Sequence, residues 1–299
     1  MEIREYKDNA PKGPGGGRKI AWNGVSFTAP LDWTPVIIEK TYLLFQRNQH
    51  PIMEIKWFRG GKLSVKASLG QLTAGFSTVS SPPAKIQTPV EWEPYLDAFE
   101  SHAFSWNDGT SQAMGLVMRC KKCQTTTLIQ FFVHTATPPL DTGKQILSRF
   151  QDHTDDHIWS LFDFEAQLPA DCVLDSFLFQ VGRFELNYAS PDHKIALYRF
   201  AMAHEILKHK TLEQMAHEIS ADGPSALMFT DNGSDGCQWH SKKQGLCAKL
   251  TARLTRKPLE TWGRLRHDRD NDKLLAVYTS GNTVDPVRCT DISTRFKII

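Results

Sequence analysis

The feature that most constrains this chain is a block that occurs twice. The run His50-Pro51-Ile52-Met53-Glu54-Ile55-Lys56-Trp57 matches His193-Lys194-Ile195-Ala196-Leu197-Tyr198-Arg199-Phe200 at a shift of 193 − 50 = 143. The same shift (211 − 68 = 143) lays Ser68-Leu69-Gly70-Gln71-Leu72 on Thr211-Leu212-Glu213-Gln214-Met215. Upstream, Pro30-Leu31-Asp32 pairs with Pro169-Ala170-Asp171 at 139; downstream, Trp106 pairs with Trp239 at 133. A shift that drifts by a few residues is what loop insertions and deletions produce, because connections tolerate length change better than the elements they join. Few of the matches are identities, so their order carries the argument: the 299 residues read as one unit used twice.

Each copy has the same local logic. Tyr42–Arg47 and Pro51–Phe58 are β-rich runs separated by Asn48-Gln49-His50, and Phe184–Tyr188 and Lys194–Phe200 are split by Ala189-Ser190-Pro191-Asp192; both pairs read as hairpins. A helix is expected after each, opening at a hydroxyl residue able to cap it, Ser68 in one copy and Thr211 in the other. Leu212, Met215, Ala216 and Ile219 then follow at helical spacing. Further strands are expected at 84–87, 102–106, 113–119 and 125–134 with a closing helix near 144–151, and at 226–230, 238–241, 247–254, 261–266 and 274–279, with residues 290–299 as a strand or tail. The organisation predicted is a flexible tail over 1–19, a first domain over 20–155 and a second, divergent one over 156–299. The fold class predicted is α+β: two tandem similar domains, each an antiparallel sheet with helices packed against it.

The segment Gly24-Val25-Ser26-Phe27-Thr28-Ala29-Pro30-Leu31-Asp32-Trp33, the hairpin that ends at Trp57, and Ser68-Leu69 together resemble the PsbP-like α/β/α family. The resemblance covers most of 20–152 and, more weakly, 160–299, where Cys172 stands in place of Trp33. It implies one antiparallel sheet with helices on its faces in each half. The family includes a photosystem II extrinsic subunit and a Ran-binding import factor, mainly binding or assembly proteins without a shared catalytic set. No site residue transfers, since a fold does not carry a function.

Composition removes several function classes. Lys and Arg exceed Asp and Glu by 35 − 33 = 2, so no strong overall field draws the chain to nucleic acid or an anionic membrane. No run of about 18 apolar residues predicts a membrane span. Residues 1–30 carry Lys7, Lys12, Arg18 and Lys19 without an apolar core segment, so no secretory signal is expected, and the expected location is cytoplasmic. Six cysteines in 299 residues are too few for a disulfide scaffold and read as thiols.

The remaining candidates are few. Cys120-Lys121-Lys122-Cys123, between two β-like runs, is half of a zinc knuckle, or a pair whose lysines lower the thiol pKa and favour oxidation. Cys237, His240 and Cys247 could complete a site if the two halves brought those strands together. His204 and His209 are five apart, roughly 140° on a helix at 3.6 residues per turn, and so are rejected as a ligand pair. His153 and His157 have helical i, i+4 spacing but read as a solvated helix end between the domains. Asp268–Asp272 reads as a polar turn, because a calcium loop would need Gly at Lys273 and Glu at Thr279. Lys249, Arg253, Arg256, Lys257, Arg264, Arg266 and Arg269 concentrate positive charge, with Trp262, Arg264 and Arg266 on one face of a strand, a possible platform for phosphate or single-stranded nucleic acid.

The leading expectation is therefore a non-enzymatic module that binds another protein and has no cofactor, with Cys120 and Cys123 most simply two ordinary thiols and zinc the one candidate there. A metal- or thiol-dependent enzyme centred on Cys120 and Cys123, and a nucleic-acid adaptor using 249–269, remain open.

Overall fold

The structure, a computed structural model, describes residues 16–60, 83–134, 138–153, 157–221, 227–231, 235–241 and 258–299. The chain divides into two compact units, Met1–Thr154 and Asp155–Ile299.

The first unit opens with strands β1 (Gly17–Trp22) and β2 (Val25–Pro30), a hairpin whose turn places Asn23 and Gly24 at φ of 42° and 90°. There follow β3 (Thr34–Glu39), β4 (Tyr42–Arg47), β5 (His50–Phe58), β6 (Ala84–Lys85), a 3₁₀ turn at Glu93–Tyr95, β7 (Phe99–Asn107), β8 (Gln112–Cys120), β9 (Thr126–Phe132) and helix α1 (Leu140–Leu147). The sheet runs β3-β4-β5-β9-β8-β7-β6, antiparallel throughout. Its alternating side chains bury Met53, Ile55 and Trp57 on one face, and Phe104, Val117 and Leu128 on the other.

The second unit repeats the order. Hairpin strands β10 (His157–Leu161) and β11 (Phe164–Leu168) precede β12 (Val173–Gln180), β13 (Arg183–Ala189) and β14 (His193–Ala201). Helices α2 (Ala203–His209) and α3 (Leu212–Ile219) come next, then β15 (Leu227–Asp231), β16 (Gly236–Ser241), β17 (Glu260–Asp268), β18 (Lys273–Gly281), α4 (Pro286–Arg295) and β19 (Lys297–Ile298). The sheet runs β12-β13-β14-β18-β17-β16-β15, position for position the order of the first unit. Helix α3 starts in a capping box: Thr211 accepts the N–H of Gln214 while the Gln214 side chain accepts that of Thr211. Met215 and Ala216 then pack with Trp239, Leu274 and Ala276.

The α+β expectation is corrected by this architecture. Strand accounts for 54% of the described residues and helix for 16%, so the described part of the chain is mainly β. The reason is economy of chain: hairpins of nine-residue strands spend few residues on turns, whereas the helices run only seven to ten residues. Two boundaries also change. Gly17–Trp22 is a strand, and the Arg18 guanidinium is buried against the Trp33 carbonyl at 2.7 Å, so the tail does not extend to residue 19. Of residues 290–299, expected as strand or tail, 290–295 belong to helix α4 (Pro286–Arg295), which starts there because Asp285 caps the Val287 N–H and Pro286 suits the first turn.

The register of the repeat is corrected by one residue. Gln124 and Asp272 occupy the left-handed position of the β8–β9 and β17–β18 turns, at φ of 59° and 51°. Two residues on, Thr126 pairs with Phe58 and Leu274 with Phe200, so the structural shift is 200 − 58 = 142. Trp57 thus corresponds to Arg199, and each reaches the turn of its unit's first hairpin: Trp57 Nε1 donates to the Asn23 carbonyl, Arg199 to the Asp163 carboxylate. A slip of one in a strand exchanges faces, and the unbroken apolar run Ile195-Ala196-Leu197-Tyr198 carries no alternation that would reveal it. The first-copy helix expected from Ser68 lies outside the described residues, as do Cys247 and the basic positions 249–257.

Candidate functional site

Among the described residues, the donor set close enough to share one ion is Cys120, Cys123, Asp152 and His153, whose ligand atoms all lie within 4.8 Å of one another. Two local structures bring them together. The first is the β8–β9 turn, closed by Cys120 N–H to the Thr125 carbonyl at 2.9 Å and Gln124 N–H to the Cys120 carbonyl at 3.1 Å. Lys121 binds this turn down, its backbone N–H donating to Ala98 and its ammonium to the Asp97 carbonyl at 2.7 Å. The second is the segment after α1. Gln151 exchanges two 2.8 Å backbone hydrogen bonds with Ser26 on β2, and the chain then delivers Asp152 and His153 beside the turn.

Within the cluster the Cys123 thiol donates to Asp152 Oδ2 at 3.3 Å, and His153 Nδ1 lies 2.7 Å from Asp152 Oδ1 and 3.7 Å from Cys120 Sγ. The Cys123 N–H donates to Cys120 Sγ at 3.5 Å. Cys120 and Asp152 are buried at 1% and 2% exposure, Cys123 is intermediate, and His153 borders solvent. Burial pushes the Cys120 thiol above its ordinary pKa, against the opposing backbone N–H groups of Cys123 and Lys122. This reverses the expectation that the flanking lysines activate it. A buried thiol with a raised pKa is a poor nucleophile.

Asp152 and His153 are the residues that sequence reasoning missed as partners of the cysteines. They lie 29 and 33 positions from the cysteines they meet, and only the pairing of Gln151 with Ser26 makes them neighbours. Asp152 belongs to no helix and is buried in the first unit, so the solvated helix-end reading of this stretch does not hold.

The other candidates fall elsewhere. Cys237 is buried in β16 within the sheet–helix core, where burial pushes its thiol up to about 11, and His240, three residues along the strand, is exposed on the opposite side. Trp262 is 2% exposed, which leaves no ring face for a base to stack on. Arg266 donates to the Phe296 carbonyl, and Arg264 is half-buried, so on the described part of the basic stretch one arginine serves to hold the C-terminal segment. The turn Asp268–Asp272 closes on itself, Asn271 N–H donating to Asp268 Oδ1 at 3.2 Å, while Asp272 accepts from the N–H and Nδ1 of His204 at 2.8 and 2.6 Å. His204 and His209 share the short helix α2 without sharing a ligand site.

A second feature is the placement of exposed apolar side chains. Val36 and Ile37 on β3, Val173 and Leu178 on β12, and Val181 in the turn after β12 are five of the nine large hydrophobic residues exposed among the described residues. β3 and β12 hold the same outermost place in their sheets, and each carries an irregularity in its pairing, between Pro35 and Ile37 and between Leu174 and Ser176. No helix of the described residues is long and apolar enough to cross a membrane.

No family model matches the chain, and no curated protein is significantly similar to it. Among solved structures it is similar to one from Bacteroides thetaiotaomicron VPI-5482, at 10% identity and a TM-score of 0.33, over 51% of this chain and 53% of that one. The chain thus spans about half the length of that structure. It is also similar to the immunity protein TplEi of the T6SS from Pseudomonas aeruginosa, both apo and complexed with "L" peptide, at 9% identity and a TM-score of 0.32 over 96% of this chain and 99% of that one. Likenesses this weak transfer neither a residue role nor a function.

Proposed function

We propose that this protein is a non-enzymatic module that binds another protein along the outermost strands β3 and β12. The observation that carries this reading is the concentration of exposed Val36, Ile37, Val173, Leu178 and Val181 on those two strands and the β12 turn. Outer strands are usually blunted by charge, because their unpaired backbone groups template pairing with another chain. Apolar side chains there suit an extended partner segment that adds as one more strand, the backbone supplying hydrogen bonds and alternate side chains the contacts. The PsbP-like resemblance of residues 24–33 agrees with a binding role.

The test is capture from the source cells with the full chain and with an Ile37→Asp/Leu178→Asp variant whose circular dichroism matches the wild type. A partner held in stoichiometric amount by the wild type and lost by the variant supports the reading. A partner retained equally by both, or none at stoichiometric level, overturns it.

A further inference from the structure

We propose that Cys120, Cys123, Asp152 and His153 together hold one structural zinc ion in the first unit. The inference is independent of the binding reading, since it concerns none of the residues of β3 or β12.

The donor chemistry selects the ion. Two thiols and an imidazole are soft and borderline ligands, which suit zinc, whereas calcium and magnesium take six or more oxygens. Four protein donors complete the tetrahedral shell that zinc takes in structural sites; a catalytic zinc keeps one place for water or substrate. The donors already point at one another, held by hydrogen bonds of 2.7 Å (His153 to Asp152) and 3.3 Å (Cys123 to Asp152) that zinc would replace as it displaces the thiol protons.

The second unit supplies an internal control. Counting from the left-handed residues Gln124 and Asp272, Cys120 corresponds to Asp268 and Cys123 to Asn271. Counting from the pairs Gln151–Ser26 and Lys297–Glu165, Asp152 and His153 correspond to Ile298 and Ile299. In the second unit the turn has the same closure, with Asp268 Oδ1 accepting the N–H of Asn271 as Cys120 Sγ accepts that of Cys123. The turn therefore needs an acceptor at its first position but not a cysteine, and it needs no thiol at its fourth. All four donors are present in one unit and replaced in the other. The donor set is thus a feature of the first unit, and the shared turn closure does not account for it.

The two units also secure the segment after the closing helix differently. In the second, Arg266 grips the Phe296 carbonyl and β19 pairs with β11. In the first, a zinc ion would tie Asp152 and His153 to the β8–β9 turn, adding to the Gln151–Ser26 pairing.

The full chain, purified under a non-thiol reductant and without chelator, is assayed for metal by mass spectrometry, and chelator-stripped protein is then titrated with cobalt(II). One zinc per chain is expected, together with one-to-one cobalt uptake that shows thiolate-to-cobalt charge-transfer absorption. Cys123→Ser should weaken metal affinity by more than about 100-fold, beyond the 10–100-fold cost of losing a residue that only supports a ligand. Wild-type protein that carries no stoichiometric zinc and takes up neither zinc nor cobalt one-to-one overturns the proposal, and that outcome does not depend on how the variant folds. It would leave the capture experiment on β3 and β12 unaffected.

Discussion

Glu54 allows a quantitative test of how the first unit is built. It lies on β5 directly across from Gln130 on β9, and both are buried, at 4% and 0% exposure. Glu54 Oε2 accepts the Tyr42 hydroxyl at 2.9 Å, but Oε1 and the facing Gln130 Nε2 have no hydrogen-bond partner among the described residues. Burial therefore raises the carboxyl pKa from its ordinary 4.5 to about 7, against the opposing Tyr42 hydrogen bond and the Lys56 charge. An acid that holds its proton longer folded than unfolded weakens the fold as pH rises between the two values. At about 1.4 kcal/mol per pH unit, a rise from 4.5 to about 7 amounts to about 3 kcal/mol of stability, present below pH 4.5 and lost as the pH rises to about 8. Glu54→Gln keeps an acceptor for Tyr42 and cannot ionise. Urea unfolding of the full chain, followed by pulsed hydrogen exchange at a common pH in peptides spanning 50–58 and 126–132, reads this unit alone. The variant should gain about 3 kcal/mol over the wild type between pH 4.5 and pH 8, whatever constant offset the amide introduces. A difference that stays the same at both pH values would mean that burial does not control this carboxyl, and would refute the reasoning.

Two further substitutions probe the second unit. A Cβ at Gly263 would overlap the indole of Trp239, a rigid, fully buried group whose Nε1 donates to Ser220 at 2.8 Å, so Gly263→Ala should cost about 1–3 kcal/mol in urea unfolding; an unchanged midpoint would show that the ring can move aside. Thr211→Ala removes one half of the capping box and should cost about 1 kcal/mol, with hydrogen exchange faster first in α3; equal protection of α3 in both proteins would contradict the assignment of that cap.

What could be read in advance follows from the range of the forces involved. Hairpins, caps and turns depend on residues within a few positions of one another. Thus Tyr42–Phe58, Phe184–Phe200, the Thr211 cap and the Asp268–Asp272 turn were legible in the residues themselves. The Asp285-Pro286 helix start is equally local, a capping residue followed by a proline suited to the first turn, although the expectation there was strand or tail. The register of the repeat was less accessible, because Ile195-Ala196-Leu197-Tyr198 on β14 is an unbroken apolar run in which no alternation marks the face a residue takes.

By itself the sequence determined the two-fold repeat, the hairpins and the presence of two cysteines in one tight turn, because each is written in neighbouring residues or in their order. Only the tertiary structure decided the sheet order, the outermost position of β3 and β12, and the meeting of Cys120 and Cys123 with Asp152 and His153. Those depend on the pairing of strands far apart in the chain, above all Ser26 with Gln151, and backbone hydrogen bonds of that kind leave no mark on side-chain identity.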